Sequence, residues 1–326
     1  MENTTRLLQR QEAALDGRHV LVVESNDASL VTLAEPASLS VHSDDLTVGP
    51  DQWAVLPQVP AGTDLLIIPL PKSSERLQCL LAVLAGQLSS PCELWLVGPA
   101  KGGVKGALKH LQRHCDELLL VDSARHCKLY SGMLQPGPVQ PLSDWQQSFT
   151  AGSLTVHSYP GVFSHGRLDE GTALLLDALD GLSLAAGRAL DLGCGAGVRS
   201  LALASQGWTV DGLDVSAAAV AASQANGERL ADVLQGSVRF RGSYLYQHVS
   251  ARYDLLVTNP PFHQGRQRTM AVTEALIAGA RERLVSGGEL WLVANRELPY
   301  MQWLQQAFTG VDIVRETSRF RVYRAR

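Results

Sequence analysis

From about residue 170 onward, apolar runs of four to six residues alternate with stretches in which apolar positions recur at helical spacing. Short apolar runs bounded by turn residues read as buried strands. Their alternation with helices predicts a mostly parallel sheet with helices on its faces. Residues 189–192 form the first such strand, 193–197 a glycine-rich turn, and 198–206 a helix that ends near Gly207. A second strand covers 209–213 and ends in Asp214, and a fourth covers 253–258.

The first half of the chain echoes this layout. Asp64-Leu-Leu-Ile-Ile-Pro-Leu-Pro71 resembles Asp254-Leu-Leu-Val-Thr-Asn-Pro-Pro261, and Glu93-Leu-Trp-Leu-Val97 recurs as Glu289-Leu-Trp-Leu-Val293. A fainter echo sets Arg18-His-Val-Leu-Val-Val-Glu24 against Arg188-Ala-Leu-Asp-Leu-Gly193. Three echoes in the same order predict two copies of one α/β unit. The copies differ in chemistry: Gly193-Cys-Gly-Ala-Gly197 has its counterpart in Glu24-Ser-Asn-Asp27, which lacks glycines for close backbone approach to a ligand. Between them, Gly132, Pro136, Gly137, Pro138 and Pro141 break both helix and strand, so the domain boundary is placed just after them. The expected division is a degenerate domain over 1–146, which has the scaffold and lacks the glycine turn, and a second domain over 152–326 that carries it.

Length and composition agree with two ordinary folded domains: the 326 residues are 45% hydrophobic and 18% charged, without a low-complexity tract. No apolar stretch approaches the roughly 20 residues of a membrane helix, and charges near the N-terminus interrupt any secretory signal. A cytoplasmic protein is expected. Five cysteines without a CxxC pair indicate neither a disulfide framework nor a zinc site, so no metal is expected and free buried thiols are. A net charge of −4 argues against indiscriminate nucleic-acid binding and leaves room for local basic patches.

The chemistry concentrates in the second half. A strand, a glycine loop and a helix in succession are the context in which glycines mark a nucleotide site. Gly193, Gly195 and Gly197 permit close backbone approach, and Asp214 stands at the spacing of a carboxylate that accepts hydrogen bonds from two ribose hydroxyls. Glycines alone would serve NAD, FAD or S-adenosylmethionine (AdoMet). The run Asp191-Leu-Gly-Cys-Gly-Ala-Gly197 resembles the first motif of class I methyltransferases, in which an acid at the strand end opens the loop over the methionine moiety. That resemblance selects AdoMet.

Asn259-Pro-Pro-Phe262 follows the fourth strand, at the sheet edge where open α/β sheets bind ligands. It resembles the Asn-Pro-Pro-aromatic signature of enzymes that methylate the nitrogen of adenine, guanine or glutamine side chains. Such a nitrogen is a poor nucleophile because its lone pair is delocalised. An Asn259 side-chain oxygen and a Pro260 carbonyl that accept its N–H bonds would aim it at the methyl donor and favour the developing charge. Phe262 offers a flat face for an extruded base.

Further matches flank these motifs in the second half, and the resemblance they carry covers both halves. Pro160-Gly-Val-Phe-Ser164, Leu168-Asp169, Gly171-Thr172, His263, the segment 295–300 and Arg319-Phe-Arg-Val-Tyr323 resemble the bacterial small-subunit (16S) ribosomal RNA guanine-N2 methyltransferases. That family pairs a degenerate methyltransferase-like domain with an active one. The resemblance implies two tandem Rossmann-like domains, AdoMet as cofactor, and 16S rRNA or the small subunit as partner, with a monomer acting away from membranes. It implies cofactor contacts at Asp191, Gly193, Gly195 and Asp214, base contacts at Asn259, Pro260 and Phe262, and pocket closure by Phe163, Ser164 and Asp169. Where the family often carries Asp or Asn toward the adenine, Gly242-Ser243-Tyr244 stands here, which makes Ser243 the candidate. His263 reads as a positioning residue rather than a base, and Arg266 and Arg268 as phosphate contacts or solvated arginines.

Lys101, Lys105, Lys109 and Arg113 follow helical spacing and form one candidate RNA patch; Arg315, Arg319, Arg321, Arg324 and Arg326 form another. Two rivals remain open at this point: a protein-glutamine N-methyltransferase, and a non-catalytic RNA-binding assembly factor with a vestigial pocket.

Overall fold

The structure, a computed structural model, describes residues 2–32, 37–260 and 266–326, with residues 31, 32 and 266–270 described in backbone only. The chain divides into two compact units, Met1–Gln146 and Gln147–Arg326.

In the first unit, helices α1 (Asn3–Gln9) and α2 (Glu12–Leu15) precede strands β1 (His19–Val22), β2 (Ser38–Ser43), β3 (Gln52–Trp53) and β4 (Leu65–Pro69). Helix α3 (Ser74–Gln87), β5 (Cys92–Pro99), α4 (Val104–Leu111), β6 (Cys115–Ala124) and β7 (Cys127–Leu134) complete it. The sheet order is β3-β2-β1-β4-β5-β7-β6, parallel except where β7 pairs antiparallel with β5 and β6. Helix α3 starts where Ser73 accepts a hydrogen bond from the Arg76 N–H, and Leu77, Leu80, Leu81 and Leu84 then fall on one buried stripe against Leu66, Ile68, Leu94 and Leu96.

The second unit opens with a hairpin, β8 (Gln147–Ala151) and β9 (Leu154–Ser158), that the hydrophobic pattern had not suggested. It continues as α5 (Glu170–Leu179), β10 (Arg188–Leu192), α6 (Val198–Ser205), β11 (Thr209–Asp214), α7 (Ala217–Leu230), β12 (Ser237–Gly242) and β13 (Tyr253–Thr258). Helix α8 (Arg266–Arg283), β14 (Leu284–Asn295), α9 (Tyr300–Ala307), β15 (Val311–Glu316) and β16 (Phe320–Ala325) close the chain. The sheet order β12-β11-β10-β13-β14-β16-β15 reproduces that of the first unit position for position.

The duplication extends to register and hydrogen bonds. Leu65 lies opposite Glu93 in the first sheet and Leu255 opposite Glu289 in the second. The Trp95 indole N–H donates to the Glu93 carboxylate at 2.7 Å, and the Trp291 N–H to Glu289 at 2.8 Å. The backbone N–H of His19 is held by Asp64, and that of Arg188 by Asp254. Two tandem Rossmann-like domains are therefore present, and the echoes in sequence are echoes in space.

At the carboxyl end of β1, the first domain is filled. Arg76, only 1% exposed, donates to both oxygens of Glu24 at 3.0 and 2.8 Å and to the Val55 carbonyl at 2.7 Å. Fully buried His42 accepts the Glu24 N–H on Nδ1 and meets the Ala54 carbonyl through Nε2. A buried ion pair and a neutral imidazole occupy the region where the second domain has its glycine turn.

Candidate active site

The site is built on three adjacent parallel strands, β11, β10 and β13. The turn after β10 places Gly193, Gly195 and Gly197 at φ of +67°, +56° and +86°, values that L side chains seldom adopt. The glycines face different surroundings. A Cβ on Gly193 or Gly195 would meet nothing within 4 Å, whereas one on Gly197 would lie 3.0 Å from the Phe240 ring and 3.1 Å from Ser223 Cβ. The first two front open space suited to a ligand, and the third lets the start of α6 pack against β12.

Asp214, half-buried at the tip of β11, accepts one backbone N–H on each oxygen, from Gly195 at 2.9 Å and Ser216 at 3.0 Å. One acidic residue thus holds the glycine loop and keeps lone pairs for a ligand's hydroxyl groups. Burial pushes its carboxyl above the usual range, against the opposing pull of the Ser216 and Gly195 N–H groups.

Asp191 has a supporting place rather than a surface one. It is fully buried; Arg199 Nε donates to Oδ1 at 2.9 Å and Ser200 Oγ to Oδ2 at 2.7 Å. Arg199 also donates to the Gly193 carbonyl at 2.5 Å, so the Asp191–Arg199 pair fixes the glycine turn from beneath. These bonds give Asp191 a part in the geometry of the loop. Ser243 is likewise turned to local work: its N–H donates to the Asp214 carbonyl, and its hydroxyl to the Gln247 and Leu245 carbonyls. Its one proton is thereby taken, so toward a ligand it can only accept.

The tip of β13 lies beside this turn, with Thr258 in register with Leu192. The next residue, Asn259, donates through Nδ2 to Asp169 Oδ2 and to Thr172 Oγ1, each at 3.0 Å. Its Oδ1 is buried and has no hydrogen-bond partner among the described residues. An orphaned amide oxygen at a sheet's ligand-binding edge is an acceptor held ready for a donor. Pro260 is buried beside it. Pro261, Phe262 and His263 lie outside the described residues, and Arg266 and Arg268 begin α8 with their side chains outside the description.

Asp169 caps α5 by accepting the Thr172 N–H at 2.9 Å, and this brings the segment before α5 to the site. In that segment Ser164 adopts φ +57°, and Phe163 is 59% exposed. Ser158 Oγ meets His165 Nδ1 and accepts the Gly166 N–H, which anchors the loop to β9. Thr172, Arg199 and Ser200 were not foreseen as functional. Neither was Asn226, fully buried on α7, which holds both the N–H and C=O of His157 and the Ala196 carbonyl, joining the hairpin to the glycine loop. No motif marks these positions; only the folded geometry brings them together.

The two basic clusters differ in kind. The C-terminal arginines are each ion-paired: Arg315 with Asp177, Arg319 with Glu170, Arg321 with Glu316, Arg324 with Glu289 and Arg326 with Asp312. Their charge is locally neutralised. In the first domain, Lys105 and Lys109 lie exposed on α4, with Lys101 just before the helix and Arg113 just after it. Among the described residues, none of these four has an ion pair or side-chain hydrogen bond. The expected single helical face is shorter than the sequence spacing implied, since only Lys105 and Lys109 lie on the helix itself.

Comparison with known proteins agrees with this geometry. Residues 153–324 match the family model "Methyltransferase small domain" and residues 5–149 match "Methyltransferase small domain N-terminal". The chain is 57% identical to the ribosomal RNA small subunit methyltransferase C of Alcanivorax borkumensis, covering all of this chain and 99% of that protein. It is 34% identical to the protein of that name from Yersinia enterocolitica, covering 98% of this chain and 94% of that one. Among solved structures, a T. thermophilus 16S rRNA N2 G1207 methyltransferase, in complex with AdoMet and guanosine, matches with a TM-score of 0.82 and 25% identity, covering 99% of this chain and 91% of the other.

Proposed function

Because the chain belongs to the ribosomal RNA small subunit methyltransferase C family, we propose that its second domain moves a methyl group from AdoMet to the exocyclic N2 of a guanine in 16S rRNA. AdoMet, when bound, supplies a methyl group carried on a positive sulfur. Asp214 would accept its ribose hydroxyls, Gly193 and Gly195 would leave room for its close approach, and Ser243 would accept from its adenine amino group.

Asn259 performs the part that the substrate's chemistry demands. Guanine N2 has a delocalised lone pair, and two N–H bonds that can be gripped by acceptors. Asn259 Oδ1 accepts one and the Pro260 carbonyl the other, which fixes the amine and stabilises charge as it develops. Transfer would form the N2–CH3 bond as the sulfur–methyl bond breaks, and N2 would give up one proton to solvent. Phe262 supplies a stacking face; Phe163, Ser164, His263, Arg266 and Arg268 contact the surrounding RNA. The observation that carries this reading is the orphaned Asn259 Oδ1, aimed by the two acceptors that hold Nδ2 and set one residue beyond the strand that adjoins the glycine turn.

The first domain, its own pocket filled by Arg76, serves recognition, with the exposed cations of α4 meeting RNA phosphates. Its shared topology with the second domain counts against a glutamine methyltransferase reading. Among the described residues no helix is long and apolar enough to cross a membrane. The enzyme acts as a cytoplasmic monomer.

Purified protein incubated with labelled AdoMet and, separately, 16S rRNA, small subunits and a protein fraction tests this. Label on guanine N2 of either RNA substrate is expected. Label on glutamine instead, or AdoMet binding by calorimetry without any transfer, would overturn it.

A further inference from the structure

An asparagine side chain is nearly symmetric in shape, and its two ends are opposite in function: one accepts, the other donates. Which end faces the substrate is decided by the neighbours of the other. Asp169, as a carboxylate, can only accept, and it lies 3.0 Å from Asn259 Nδ2. Thr172 Oγ1 receives the second Nδ2 hydrogen at 3.0 Å. We propose that Asp169 and Thr172 are positioning residues that hold the Asn259 amide oxygen toward the guanine amine and prevent the amide from turning over.

The proposal rests on the assignment of Asn259 to the substrate amine. In the reversed orientation, Oδ1 would face the Asp169 carboxylate and the NH2 group would face the substrate's N–H bonds. Acceptor would meet acceptor on one side and donor would meet donor on the other. The pair therefore sets a one-way orientation at a group that bears no charge itself. The negative charge behind Nδ2 also polarises the amide and makes Oδ1 the stronger acceptor.

A single oxygen, Asp169 Oδ2, receives both the Asn259 Nδ2 hydrogen and the Thr172 N–H at 2.9 Å. The start of α5 and the tip of β13 are thus tied through one atom. Asp169 belongs behind the acceptor, not against the substrate.

Because Asp169 also caps α5, the test has to keep the cap. Asp169→Ser retains an N-cap hydroxyl and lacks the reach to Asn259; Asp169→Asn retains the cap and a neutral acceptor of the same shape. With ribosomal RNA as substrate, D169S is expected to lower kcat at least tenfold. Its thermal midpoint and AdoMet affinity should stay close to those of the parent, and D169N should fall between the two. Thr172→Val, which removes the second acceptor without shortening the side chain, should lower kcat several-fold and provides the measurement if D169S folds poorly. N259A is the reference. Loss of transfer in N259A together with parental kcat in D169S and T172V would overturn the positioning role alone; full activity in N259A would overturn the site assignment beneath it.

Discussion

Thr258 Oγ1 donates to the Leu192 carbonyl at 2.9 Å, a buried bond between the last residue of β13 and the last residue of β10. Each is followed by a functional element: Asn259 after one, Gly193 after the other. The bond therefore fixes the spacing between the acceptor proposed for the substrate and the turn proposed for the cofactor. Thr258→Val keeps the shape and removes the donor, which leaves the Leu192 carbonyl with the longer contact from Arg199 Nη2 at 3.4 Å and costs about 0.5–1.5 kcal/mol. The expected outcome is a several-fold loss of kcat with AdoMet affinity preserved, measured by single-turnover kinetics and calorimetry. Equal loss of both would place the bond's importance in folding rather than in spacing.

What the sequence disclosed follows from which interactions are local. Strand periodicity and the glycine turn are local, so β10, β11 and β13 were legible to within a residue, and 198–206 as α6. The duplication was legible because Glu93 and Glu289 sit in matching runs. The hairpin β8–β9 was not, since its short alternation is held in place by Asn226 on α7, far away in sequence. Asp191 was read from its motif as facing the cofactor; that Arg199 and Ser200 take both its oxygens depends on how the first turn of α6 packs beneath the strand. The paired state of the C-terminal arginines was hidden for the same reason, because Asp177 and Glu170 lie on α5.

Asp214, proposed to accept the cofactor's ribose hydroxyls, is expected to make cofactor binding sensitive to pH. Its carboxyl titrates above the usual range because burial disfavours the charged form. The charged form is the stronger acceptor for ribose hydroxyls, so AdoMet affinity should fall as the pH is lowered through that raised pKa, while bound cofactor should draw the pKa down again. Asp214→Asn should bind AdoMet more weakly by about 1–3 kcal/mol and show a flat profile over the same interval. A slope of parental size in the variant would assign the titration to another group.

The α4 cations can be tested through salt. Each phosphate contact contributes about −0.7 to −0.9 to the slope of log affinity against log salt. Lys105→Glu with Lys109→Glu should weaken RNA binding and reduce the slope's magnitude by roughly 1.5. AdoMet affinity should not change. Charge reversal at Arg319 and Arg321, by contrast, removes cations already paired with Glu170 and Glu316, and should alter the slope little. The reverse pattern would move the RNA contact to the C-terminal strands.

His42 gives the first domain an acid limit. Burial holds its imidazole down to about 4 from the ordinary 6.5, with the Glu24 charge pulling upward and that of Arg76 downward. A base with a depressed folded pKa leaves stability intact above its unfolded pKa and loses it as the pH falls from 6.5 toward 4, because the unfolded chain takes up the proton first. The whole interval is worth on the order of 3 kcal/mol. His42→Gln should melt with a flatter pH dependence across that interval, and the NMR titration of His42 in the parent protein gives an independent check. An unshifted titration would contradict the prediction.

Gly195 and Gly197 separate ligand space from packing within one turn. Both adopt positive φ, so alanine at either costs about 1–2 kcal/mol of backbone strain. At Gly197 the new methyl also meets the Phe240 ring at 3.0 Å and Ser223 Cβ at 3.1 Å, both on elements that cannot withdraw without disturbing β12 or α7. At Gly195 it projects into open space. Gly197→Ala should therefore lower the melting temperature more than Gly195→Ala does. Gly195→Ala should keep most of the stability and lose AdoMet affinity, because its methyl stands where the cofactor has to approach. If Gly195→Ala bound AdoMet as the parent does, the open space before this turn would not be the cofactor's.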